Sequence, residues 1–381
     1  MRAAAGLFAA ATSEGLVSPD YAIFTPVRAV SLPYAIQLFR TPAMMSVFRL
    51  ESRGLGTGES GFLRLYSDRF GMLRVPLPPP AEQAAIVRFL EWANGRLERA
   101  IQAKRKVIAL LNEQKQAIIH RAVTRGLDPF VPLKPSGSPW LGDIPHHWEI
   151  RKIKSLVKTF GGMTPNKGVQ RYWTGQTPWV SPKDMKVPEI FDSKDHITDA
   201  AIQETNISVI SDEAVLIVVR GMILARTFPT AVTRVPFAIN QDMKALVPRP
   251  GLSVDYLSLV LTGIQRVLLE LVEIAGHGTC CLRTDAWSVF GLPIPSLEEQ
   301  GAISRHLARE LAARGTTISH LNREIELLRE YHTRLVVDVV TGKLDVREAE
   351  LHLTDEAPLI VVDDDADMSA DLDTIADESR S

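Results

Sequence analysis

The chain is poor in cysteine, in long apolar runs and in the signatures of catalysis, and each shortage narrows what it does. Its two cysteines, Cys280 and Cys281, are adjacent. They form no metal-ligand spacing and offer no structural staple, so the reading is a reducing cytoplasm and no metal site. No apolar stretch approaches the roughly eighteen residues of a membrane span, and no membrane partner is expected. Arg2 followed by residues 3–11 has the outline of a short signal peptide, but an internal repeat places the residues just after it inside a domain. No Walker A sequence, no H-E-x-x-H and no paired Cys-x-x-Cys occurs. The nine histidines are scattered, and His146-His147 has no visible third ligand.

What is present is ordinary in bulk. With 381 residues, 45% hydrophobic and 23% charged, the chain has material for two or three domains with real cores. The net charge of −2 hides an asymmetry. Ten acidic residues and one arginine follow Leu351, a local −9 that leaves +7 for the rest of the chain. A mildly basic body with an acidic tail permits nucleic-acid binding without requiring it.

The organising feature is a duplication at an offset of 217 residues. Pro76-Leu77-Pro78 returns as Pro293-Ile294-Pro295, and Glu82-Gln83 as Glu299-Gln300. Ile86, Leu90, Ile101, Leu110, Leu111 and Glu113 fall on Ile303, Leu307, Ile318, Leu327, Leu328 and Glu330. Each copy reads as one long helix. A proline-rich entry over 75–80 fixes extended backbone, and residues 81–122 contain no proline and one glycine, Gly95. Apolar residues recur near heptad spacing through Ile86, Leu90, Ala93, Leu97, Ala100, Val107, Leu111 and Ile118. The second copy carries Ile303, Leu307, Leu311, Ile318, Leu321, Ile325, Leu328 and Leu335. Neither stripe is buried by its own helix, so each rod needs the other or a partner.

Outside the rods the repeat is uneven. Asp20, Pro26, Ser31, Tyr34 and Leu38 match Asp242, Pro248, Ser253, Tyr256 and Val260 at an offset of 222, and Leu65 and Asp68 match Leu282 and Asp285 at 217. The long region before Ile223 has no counterpart before Met1, so the first head is expected to begin partway through its own fold. The expected order is a partial head over 1–75, a long helix over 76–126, a linker over 127–147 and a complete α/β head over 148–292. A second long helix over 293–346 and an acidic, disordered tail over 347–381 follow. The second head should contain a strand over 214–219 and a helix over 256–274; residues 358–362 could add a short strand.

These residues resemble a family. The carrying phrases are Pro76-Leu77-Pro78 with Glu82-Gln83, and the linker from Ser136-Gly137 to Trp140-Leu141-Gly142-Asp143-Ile144-Pro145 with Trp148. In the second head they are Gly162-Met163-Thr164-Pro165, Trp179-Val180-Ser181-Pro182-Lys183-Asp184-Met185 and Asn240-Gln241-Asp242. Together, and in this order, they resemble the specificity subunit of type I restriction-modification enzymes. The resemblance implies an α/β fold with two target-recognition domains, each reading half of a split site on double-stranded DNA. It implies antiparallel rods that space the half-sites. It further implies two modification (methyltransferase) subunits as partners, with restriction (translocase/endonuclease) subunits beside them. S-adenosylmethionine, ATP and Mg2+ would then act on those partners, and this chain would do no chemistry. Independently of the family, two similar heads on similar rods suit two DNA half-sites at a fixed gap. The competing reading is a truncated or decayed coiled-coil scaffold that binds modification subunits and reads at most one half-site.

Candidate DNA contacts follow from chemistry. Lys183 and Asp184 sit in a polar turn after Trp179, which otherwise reads as a solvated loop. Arg220 and Arg226 have the fork that reads guanine or holds phosphate, and are otherwise surface arginines. Asn240 and Gln241 have amides that pair bidentately with adenine, or that satisfy backbone at a strand end. Lys167, Arg171 and Tyr172 make a basic, aromatic patch, while Lys104-Arg105-Lys106 reads as a solvated helix face. Rod packing is assigned to Ile86, Leu90, Leu97, Leu111, Ile118, Ile303, Leu307, Leu321, Leu328 and Leu335. Gly56, Gly58 and Gly61 spell G-x-G-x-x-G without the strand and helix that a cofactor loop needs; a turn is expected there, as at Gly276 to Gly278. Asp128-Pro129-Phe130 lacks the second proline of an adenine methyltransferase motif and is discounted.

Overall fold

A computed structural model describes residues 8–353, except 12, 19–20, 28, 56–61 and 276–277. The G-x-G-x-x-G glycines, Gly276, Asp20 and the tail from 354 onward therefore lie outside the described residues. The chain divides into two compact units, one formed by Met1–Val107 with Ser319–Ser381, the other by Ile108–Ile318. Both cuts fall within the long helices, which run over Pro80–Arg125 and Leu297–Val340 as the proline entries and apolar periodicity predict.

In the first unit, the helices Leu32–Phe39 and Pro42–Glu51 open a small head. Each starts on a proline in its first turn, where the lost N–H needs no partner. The strands Arg53–Leu55 and Phe62–Arg64 form an antiparallel hairpin, and the short helix Ser67–Gly71 follows. Phe39, Phe48 and Phe70 cluster with ring centroids 5.5–6.0 Å apart. The rod segments of this unit run antiparallel. Asn94 meets His332 at 2.7 Å and Lys104 pairs with Glu324 at 2.5 Å, so contacts on one helix descend as those on the other climb, and Arg88 pairs with Glu350 just beyond the second helix. Ile86, Leu90, Ala93, Leu335, Val336, Val339 and Val340 bury the seam between them.

The second unit holds a larger head. Its mixed five-stranded sheet has the order Val157–Gly161, Met243–Pro248, Ala214–Val218, Thr230–Thr233, Glu189–Ile190. Only the last pair is parallel. All five residues of Ala214–Val218 are buried, as a central strand covered on both faces requires. The helix Val254–Gly263 covers that sheet. Beside it lies a three-stranded sheet in the order Ala238–Ile239, Thr177–Val180, Asp195–Ile197. Ile119, Ala122 and Val123 of the first long helix, with Ile303 and Leu307 of the second, join the same core.

Several expectations need correction. The helix over 256–274 ends at Gly263, and after a five-residue helix, Gln265–Leu269, the chain turns into the strand Val272–Ile274. Gly263 packs so close to the first long helix that a Cβ there would lie 2.9 Å from Val123 Cγ2. Residues 127–147 are a structured connection, with strands Leu133–Pro135 and Asp143–Pro145 paired and Leu141 and Ile144 in the core. The tail assigned from 347 begins with a helical turn, Arg347–Glu350. Val107 is 44% exposed and leaves the seam, whereas Lys104, read as a solvated face, spans to Glu324.

Candidate nucleic-acid interface

The sequence phrases of the second head converge because the two sheets meet through them. Met163 N–H donates to Ile239 O at 2.9 Å, Asn240 N–H to Val180 O at 2.9 Å and the Trp179 indole to Met163 O at 2.9 Å. Residues 162–165, 179–185 and 240–242 thus form one layer. Gly162 is required there: a Cβ would fall 2.1 Å from the carbonyl oxygens of Ile239 and Asn240. Trp173 stands edge-on to Trp179, centroids 5.1 Å apart, in the aromatic neighbourhood that the sequence indicated.

On this platform the candidates separate. Gln241 is exposed and its Oε1 accepts from the Thr164 hydroxyl. Asn240 Oδ1 accepts the Asp242 N–H at 2.5 Å. Each amide oxygen thereby already accepts one hydrogen bond and keeps its second lone pair, while the NH2 groups are donors. The bidentate adenine pairing uses acceptor and donor together; this arrangement weights the pair toward donation. Arg220 is exposed beside Asp242, with its N–H on Asp242 O at 3.2 Å. Burial raises the Asp242 pKa, and the Arg220 charge opposes that rise.

Lys183 is exposed, but Asp184 is committed internally. Its carboxylate accepts Ser181 N–H at 2.9 Å, Ser181 Oγ–H at 3.0 Å and Lys194 N–H at 3.0 Å. Arg171 and Tyr172 do lie together, the guanidinium 5.1 Å from the ring centroid. Glu204 takes both, at 2.9 and 2.7 Å from Arg171 and 2.5 Å from the Tyr172 hydroxyl. The Tyr172 hydrogen bond, followed by that of Arg171, lowers the Glu204 pKa. A phosphate there would have to displace a bidentate carboxylate. Lys167 and Arg226 are exposed.

Sequence reasoning missed Thr164 as the group that orients Gln241. It also missed Lys158 and Lys244 on the paired strands Val157–Gly161 and Met243–Pro248. Lys158 Nζ lies 4.6 Å from the Phe160 ring centroid, and Lys244 Nζ is beside Gly161. Their signal was a lysine within each apolar strand pattern.

No helix among the described residues is long and apolar enough to cross a membrane. Residues 145–327 match the family of the type I restriction modification DNA specificity domain. The specificity subunit of type I restriction enzyme EcoR124I/EcoR124II from Escherichia coli is 30% identical over 185 residues, 48% of this chain and 46% of that protein. The MjaIX specificity subunit from Methanocaldococcus jannaschii is 29% identical over 172 residues, 44% of this chain and 39% of that one. These alignments span less than half the length of either relative. A solved chain from work on complex assembly and conformational transition of the type I R-M system shares the fold, with a TM-score of 0.57 at 16% identity. That likeness covers 82% of this chain and 71% of the other.

Proposed function

We propose that this chain, whose residues 145–327 match the family of the type I restriction modification DNA specificity domain, is a member of that family and reads DNA sequence for a complex whose chemistry lies on other subunits. The observation that carries this reading is the layer formed by residues 162–165, 179–185 and 240–242. It presents Lys183 and Gln241 to solvent, and Arg220, whose backbone N–H bonds Asp242 O, is exposed beside it. Charged groups there position the duplex through phosphates, and the amide and guanidinium read base edges. The paired long helices are proposed as the spacer and as the docking site for two modification subunits, with restriction subunits added. S-adenosylmethionine, ATP and Mg2+ are assigned to those partners, and the cytoplasm is the proposed compartment.

The test is DNA protection by the chain assembled with its modification subunits. A bipartite footprint is expected, with log affinity falling linearly as log salt rises. Sequence-independent, salt-insensitive binding would sink the reading. One observation favours the rival scaffold with a single half-site: among the described residues, the first head has no counterpart of the five-stranded sheet. A footprint over one half-site alone would select it.

A further inference from the structure

One cation at the border of the DNA platform is held by a carboxylate. Arg171 lies on the single turn Gln170–Tyr172, and Glu204 on the helix Asp199–Thr205. Tyr172 shares a small core with Trp179, Ile197 and Ala238, and the Trp173 indole donates to Asn166 O at 3.3 Å. Trp179 opens the platform segment 179–185, and Asn166 directly follows 162–165, so the turn that carries Arg171 is tied to both.

The ion pair is not what holds this corner together. Thr198 already joins the turn to the helix: its hydroxyl donates to Arg171 O at 3.1 Å and its N–H to Tyr172 O at 3.0 Å. The side chains of Arg171 and Glu204 are 62% and 42% exposed, and pairs so exposed contribute little to stability. What the pair does is occupy three donors. Both terminal guanidinium nitrogens of Arg171 and the Tyr172 hydroxyl converge on the two Glu204 oxygens. The oxygens of a phosphate satisfy the same fork.

We propose that Glu204 is a specificity-determining residue, which withholds Arg171 and Tyr172 from DNA phosphates until a duplex is docked by its bases. That role rests on the DNA-reading function of the second head. A loosely held duplex competes poorly with a carboxylate of the same chain. A duplex fixed by base contacts presents its phosphate at high effective concentration, and the phosphate takes the carboxylate's place. Sequence-independent binding is phosphate binding, so withholding one cation weakens it selectively, and the contact is made on the recognised sequence alone.

The test titrates the chain, assembled with its modification subunits, over a range of salt against two duplexes. One is recovered by the parent from a randomised pool; the other is its scrambled counterpart. Glu204→Gln should raise affinity for the scrambled duplex roughly three- to tenfold at about 0.1 M salt, and steepen log affinity against log salt by about 0.9, the value of one added phosphate contact. On the selected duplex its slope should not change, because the contact is already made. Arg171→Ala should leave the scrambled duplex unaffected and make the selected one shallower by about 0.9. Added to Glu204→Gln, it should cancel the gain. Asp199→Asn removes the same charge from the first turn of the same helix, and should move neither slope.

Unchanged slopes in Glu204→Gln, an equal gain from Asp199→Asn, or a gain that survives Arg171→Ala overturns the proposal. So does an Arg171→Ala variant that treats the two duplexes alike. Should thermal unfolding show Glu204→Gln to be misfolded, Arg171→Ala on the two duplexes decides by itself. If the pool yields no preferred duplex, the DNA-reading function falls and the role of Glu204 with it. If it yields one and the slopes do not move, only the role of Glu204 falls.

Discussion

Gln83 and Gln300, 217 residues apart, make the same three hydrogen bonds. The Gln83 amide accepts Ser31 N–H at 2.7 Å and donates to Ala29 O at 2.8 Å and Pro78 O at 2.7 Å. Gln300 accepts Ser253 N–H at 2.8 Å and donates to Gly251 O and Pro295 O, both at 3.0 Å. Both residues are fully buried. Tyr34 and Tyr256 repeat the pattern, donating to Pro76 O at 3.1 Å and Pro293 O at 3.0 Å. Each glutamine ties a head to the start of its long helix. Removing it strands buried backbone groups at roughly 1–3 kcal/mol apiece. Gln83→Ala and Gln300→Ala should each lower the unfolding free energy measured in denaturant by about 2–4 kcal/mol. A loss confined to one of the two variants would show that the joints are not equivalent.

The helix seam makes a sharper contrast. Leu90 and Leu307 are wholly buried, but Leu110 is 59% exposed. Leu90→Ala and Leu307→Ala should each cost about 2–5 kcal/mol, the range for emptying a packed leucine site. Leu110→Ala should stay within about 0.5 kcal/mol. Chemical denaturation of the three variants checks the order, and equal losses would mean that the seam runs elsewhere.

That contrast also marks how far the sequence was legible. Heptad spacing found Ile86, Leu90, Ile303, Leu307 and Leu335, because a stripe repeated over many turns averages out local exceptions. It misassigned Val107, since a 3.5-residue pattern on a 3.6-residue helix drifts and that position then rotates off the seam. Gln83 and Gln300 were visible as identities but not as joints, because their partners lie about fifty residues earlier and only the fold brings them near. The break at Gly263 was hidden for a similar reason: close approach to Val123 is a tertiary fact. At the interface, sequence supplied the right segments but not the state of their side chains. Asp184 turned inward, and the amides of Asn240 and Gln241 were each half-used by a neighbour.

His332 gives a pH test of the rod pairing. Its imidazole is half-buried and 2.7 Å from Asn94 Oδ1, and burial lowers its pKa below the ordinary 6.5 although the Glu98 charge pulls the other way. The unfolded chain therefore takes up the proton first as pH falls. The stability contributed by neutral His332 is complete above pH 6.5 and is lost as pH drops through the folded value. Thermal unfolding between about pH 5 and 8 should show the parent losing ground to His332→Gln on the acid side. Parallel curves would mean that His332 titrates as in the unfolded chain.

The orientation of Gln241 yields the most specific prediction about recognition. With Oε1 held by the Thr164 hydroxyl, the exposed NH2 donates, so it prefers an acceptor-bearing base edge. Gln241→Ala should relax preference at one base position by about 1–3 kcal/mol. Thr164→Val removes the hydroxyl that fixes the amide, so Gln241 can flip and the same position should become ambiguous with little loss of overall affinity. Lys183→Ala, by contrast, should weaken all sequences alike and reduce the slope of log affinity against log salt by about 1. Binding to a randomised DNA pool at two salt concentrations separates these outcomes. If Thr164→Val left the preferred base unchanged while Gln241→Ala altered it, the amide would be oriented by the DNA itself and not by the protein.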